Sequence, residues 1–247
     1  MTKEARVFKD FLVDVEEVYF LGNRVVHQKL VDEFRHCILR ICEAPDLFIK
    51  KDNVVFIIEH FAFDASKTNR KGSKNQRELA RIQRVADEVF IKNNSCYHLD
   101  SIDGGYCYED YVKNALDGLK AHYEKVTAYK EHLKNKDVIT LETEIKVFFL
   151  VEDTTSLPLL YKGETAPLQQ VTLAFSKEFL EGLVECSNLD GVILCQRGGG
   201  EGKCTWIILR ESIPEFYKKA LDYNDSTVIS FKPNTISFNI PGPSIKT

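Results

Sequence analysis

Two five-residue apolar runs, Val54 to Ile58 and Val147 to Val151, constrain this chain more than anything else in it. A run with no polar residue on either side of the backbone suits a strand covered on both faces, and it falls far short of the about 20 residues a bilayer span needs. Such strands require helices to cover them. In residues 24–43, Val26, Leu30, Phe34, Cys37, Ile38 and Ile41 recur at steps of three and four, which predicts an amphipathic helix. Ala44-Pro45 ends it, because the residue before a proline is pushed out of the helical region. Asp46 to Lys50 and Val54 to Phe63 then read as a β-hairpin around the polar break Lys51-Asp52-Asn53.

The same alternation continues downstream. Ser73 with Gln76 three residues later is a capping-box pattern, and Leu79, Ile82, Val85, Val89 and Phe90 form the buried stripe of the helix that follows. Asp103-Gly104-Gly105 marks a turn within a loop-like stretch, and a long polar helix is expected over about 109–134. Glu144 to Asp153 is the best strand in the chain. A helix capped by Ser176 and running to about Cys186, a strand from Gly191 to Gln196 and a strand from Thr205 to Leu209 complete the pattern. The run Gly198-Gly199-Gly200 lacks the lysine and hydroxyl residue of a phosphate-binding loop, so it reads as a hairpin connection. Pro233 and Pro241 keep the segment 226–240 at a sheet margin as edge strands. The expectation is a single α/β domain over 1–247, with its core at 24–91 and 140–210 and a helical insertion at 92–139.

Composition narrows the class. Seven cysteines, with no CxxC pair, do not make a disulfide framework, and Cys37, Cys42 and Cys195 sit in apolar patterns where a thiol behaves as a small hydrophobe. The amino terminus is charged, without the apolar core of a secretory signal, so a cytoplasmic protein with no membrane partner is expected. A net charge of −4 excludes a generally basic nucleic-acid coat, and any such contact must be local.

One local constellation carries chemistry. Pro45-Asp46 opens the hairpin, and Glu59-His60-Phe61 follows after twelve residues on its second strand. With a helix before, a hairpin between and a helix after, this stretch resembles the PD-(D/E)XK nuclease superfamily over residues 24–91, with the strand at 144–152 as a candidate continuation. The resemblance implies a restriction-endonuclease-like core, a mixed sheet flanked by helices, and a metal-dependent nucleic-acid phosphodiester hydrolase. Asp46 and Glu59 would be the ligands of Mg²⁺ or Mn²⁺, with Glu33 on the preceding helix as an auxiliary acid. Such a hard cation polarises the phosphoryl group and lowers the pKa of an attacking water. Phe61 stands where the family has lysine, so the cation would have to come from elsewhere, with Lys71, Lys74 or Lys146 as candidates. Glu144-Ile145-Lys146 spells the acidic-x-lysine triplet by itself, in a second register that needs an insertion of about 80 residues. Strand alternation puts His60 on the face opposite Glu59, as a hydrogen-bonded structural histidine.

A basic stretch adds an independent argument. Lys67, Arg70, Lys71, Lys74, Arg77, Arg81 and Arg84 stand against the single acid Glu78. On a helix, Lys74, Arg77, Arg81 and Arg84 share one face opposite the apolar stripe, where a phosphate backbone could be gripped. The chain is therefore expected to be a metal-dependent nuclease or a catalytically inactive relative of that fold that binds nucleic acid or a protein, with an unrelated α/β interaction protein or an enzyme of other chemistry as the remaining reading.

Overall fold

A computed structural model describes residues 1–15, 17–65, 68–69, 72–73, 81, 84, 108–155, 160–162, 169–197, 203–223 and 227–229. Its centre is a seven-stranded mixed sheet built from β1 (Val18–Phe20), β2 (Leu39–Ile41), β3 (Leu47–Lys51), β4 (Val54–Phe63), β5 (Glu144–Asp153), β6 (Gly191–Arg197) and β7 (Lys203–Leu209). The spatial order is β1-β7-β6-β5-β4-β3-β2. Strands β4, β5 and β6 run parallel; β2, β3 and β4 form an antiparallel meander, β6 and β7 an antiparallel hairpin, and β1 closes the far edge parallel to β7.

The two apolar runs lie side by side at the middle of this sheet, with Val54 opposite Glu144 and Phe63 opposite Asp153. Their side chains divide by parity. Phe56, Ile58, Phe148 and Leu150 face α1 (Lys3–Phe8, extended by a π-turn to Val13) and α2 (Arg24–His36), meeting Phe8, Phe11, Leu30 and Phe34. Val55, Ile57, Val147 and Phe149 face the other way, under α3 (Tyr108–Tyr123), α4 (Val126–Asn135), α5 (Lys177–Glu185) and α6 (Ile213–Tyr223). Among the described residues no helix is long and apolar enough to cross a membrane.

Several sequence expectations are corrected here. The helix predicted over 24–43 stops at His36: Cys37 is already extended, and Leu39–Ile41 pairs with β3 as an edge strand. Ile38 and Ile41, assigned to the buried stripe, are 77% and 53% exposed. Sheet pairing outcompetes a helical periodicity that two β-branched residues support only weakly. The helix expected over 109–134 is broken at Glu124-Lys125 into α3 and α4. Cys195 is buried as expected, whereas Cys37 and Cys42 are only half-buried. Ser176 does cap α5, its Oγ accepting from the Phe179 amide at 3.3 Å.

Candidate carboxylate site at the end of the parallel strands

Buried polar residues of the three parallel strands gather at one end. Glu59 and His60 lie in the carboxyl-terminal half of β4 with Asp64 just past its end, Glu152 and Asp153 close β5, and Gln196 lies near the end of β6; all are less than a tenth exposed. The carboxyl ends of parallel strands are where α/β sheets generally place their ligand-binding groups. Each such group needs a partner, because burying it unpaired costs several kcal/mol, about 2–7 by transfer estimates.

Asp46 and Glu59 meet here. Leu47 pairs with Ile58, so Asp46, one residue earlier, falls beside Glu59 at the same end of the meander. The Asp46 amide donates to Glu59 Oε2 at 3.2 Å, and Asp46 Oδ2 accepts from the His60 amide at 2.9 Å. The proline-aspartate pair and the motif glutamate are thus joined through the backbone. The other Glu59 oxygen, Oε1, faces the helical layer, where it accepts from Tyr129 Oη at 2.5 Å and pairs with His122 Nδ1 at 2.9 Å. Burial acts to raise the Glu59 pKa, but the hydrogen bonds from His122, Tyr129 and the Asp46 amide outweigh it and hold the carboxyl below its ordinary value. Asp46 has fewer donors and a carboxylate neighbour, so desolvation pushes its pKa up. Glu59 in turn reinforces the effect of burial on Tyr129, whose phenol is held far above its usual range.

Phe61 points to the same face as Glu59, at the position where the resemblance would call for lysine. Its ring is buried, stacked on His122 at 5.2 Å and edge-on to Phe149 at 6.2 Å. Gly118 of α3 lets the helix backbone come down onto that ring: a Cβ there would sit 2.7 Å from two of its carbons. His60 lies on the opposite face, as alternation requires, with Nε2 3.2 Å from Glu152 Oε2, to which Lys3 of α1 also reaches at 3.3 Å.

The remaining site candidates do not converge. Glu33 projects from α2 on the other side of the sheet, where it pairs with Lys51 at 3.2 Å. Lys146 lies level with Phe56 on that same side, near the opposite end of the strands, and pairs with Glu144 at 3.3 Å. Neither can serve the Asp46–Glu59 pair across a filled sheet. Lys67, Arg70, Lys71, Lys74 and Arg77 lie outside the described residues, while Arg81 and Arg84 are exposed. Among the described residues no group of three or more histidine, cysteine, aspartate or glutamate side chains is arranged to hold a metal. Glu59 already accepts three of the about four hydrogen bonds a carboxylate can take, which leaves little of it for a cation. His122 and Tyr129 leave no signal in the sequence, because their role depends on how a helical pair 60 to 70 residues away packs onto β4. No protein-family model matches the chain, and neither does any curated protein or solved structure.

Proposed function

We propose that this chain is a nuclease-like α/β protein that binds nucleic acid without cutting it. The observation that carries the reading is the state of Glu59: three protein donors occupy three of its about four acceptor sites, so the carboxylate works as a structural anchor. Phe61 supports it, because a lysine at that position would be driven into a ring stack under α3. The order of helix, three-strand meander, helical pair and parallel strand fits the restriction-endonuclease-like core that the Pro45-Asp46 and Glu59 motif suggests. In this reading the phosphate-gripping residues come from the basic stretch 67–84, which follows β4 in sequence.

The alternative, a metal-dependent phosphodiester hydrolase, is favoured by one observation, the contact between Asp46 and Glu59 at the end of the meander. The binding reading is tested by fluorescence anisotropy on single- and double-stranded DNA and RNA across a salt series. Binding should weaken steeply with salt, and the variant Arg81→Gln/Arg84→Gln should flatten the log–log slope by about one for each phosphate that is no longer neutralised. No binding at low salt, or an unchanged slope in the variant, would count against it.

A further inference from the structure

The outer face of α2 and the edge strand that follows it carry a surface that the carboxylate site does not use. Val25 and Ile38 are each 77% exposed, Ile41 is 53% and Val26 41%, so four large apolar side chains from one 17-residue stretch face solvent. Along the outer side of α2 runs a groove of about 750 Å³ lined by Arg24, Val25, Gln28, Lys29, Asp32 and Glu33, among others. Beside it, β2 is the last strand of the sheet.

The charges indicate which chain. Arg24 and Lys29 occupy the amino-terminal half of the exposed stripe, and Asp32 and Glu33 the carboxyl-terminal half. Arg24, Gln28 and Asp32 are spaced by four and form one ridge, with Arg24 and Asp32 equidistant from Gln28. A two-fold axis beside Gln28 therefore sets two copies of α2 antiparallel, with Arg24 of each protomer against Asp32 of the other. Residue i meeting j while j meets i is the signature of an isologous interface. Among the described residues neither Arg24 nor Lys29 has a carboxylate within ion-pair distance, so both are available. We infer that this face binds a second copy of the same chain, forming a symmetric dimer through α2 with the Val25 side chain buried between protomers.

The inference is independent of the nucleic-acid reading, and its test is the mass in solution. Light scattering across a concentration series should give twice the mass of the chain at the upper end. Val25→Glu should give the single-chain mass throughout, with an unchanged circular-dichroism spectrum. Arg24→Asp and Asp32→Arg should each weaken association by at least about tenfold, since every pair occurs twice, and the combined Arg24→Asp/Asp32→Arg variant should restore most of it. A wild type that stays single at all concentrations, or single-charge variants that associate as well as the wild type, would overturn the inference.

Discussion

Glu59 shows how packing fixes what a buried carboxylate does. An ionised carboxylate in the sheet interior survives only if its oxygens are satisfied, and here the satisfaction comes from Tyr129, His122 and the Asp46 amide. Removing one donor exposes the balance. Tyr129→Phe should cost about 1–3 kcal/mol, the range for losing a hydrogen bond to a buried charged group, read as a lower urea midpoint with an unchanged slope. The pH dependence follows from the sign of the shift. Because the folded pKa of Glu59 lies below its unfolded value, its contribution is fully present above the ordinary glutamate pKa and is lost as pH falls through the depressed folded value. In Tyr129→Phe the pKa rises, so the acid limb of the stability profile should move to higher pH. An acid limb superimposable on that of the wild type would mean that Tyr129 is not what holds Glu59 ionised.

At the level of elements, the helical pair α3–α4 decides what the site is. The chain between β4 and β5 reads in sequence as a helical insertion, yet Ala115, Leu119, Val126, Tyr129 and Leu133 are buried, and the pair forms part of one covering layer of the sheet. Its polar composition hides this, because Glu109, Lys113 and Lys120 sit on the outer face and dilute the apolar stripe. Close approach depends on Gly118. In Gly118→Ala, helix propensity favours the change by about 1 kcal/mol, but the new methyl meets Phe61 at 2.7 Å. That ring is held between His122 and Phe149 and has nowhere to go. Overpacking costs typically about 1–3 kcal/mol, so a net destabilisation of about 1–2 kcal/mol is expected, partly relieved by adding Phe61→Leu. Thermal unfolding of the single and double variants checks this; a stabilised single variant would contradict the packing described. The end of α2 is hidden in the sequence for a related reason. Ile38 and Ile41 continue the three-four spacing of the helix, and nothing local announces that the chain will leave it to add a strand beside β3.

Across the whole molecule, the strands are legible wherever their apolar runs are long. The β3–β4 hairpin, β5 and the β6–β7 pair all lie within a few residues of where alternation and turn residues place them, and the α/β architecture follows from them. The three-residue strands β1 and β2 carry too few residues to show a period, because short edge strands draw their identity from a partner, and helix α6 is likewise absent from the sequence expectations. The motif carboxylates are legible in the sequence, since their meeting depends only on hairpin register. The convergence expected of Glu33 and Lys146 fails because sequence order does not reveal which side of a sheet a residue will face. The most direct test of the account is a cleavage assay on single- and double-stranded DNA and RNA with Mg²⁺ or Mn²⁺, comparing wild type with Asp46→Ala and Glu59→Ala. No cleavage is expected from any of the three proteins on substrates that the wild type binds. Cleavage by the wild type that is abolished in both variants would contradict it, and would make the Asp46–Glu59 pair a working metal site.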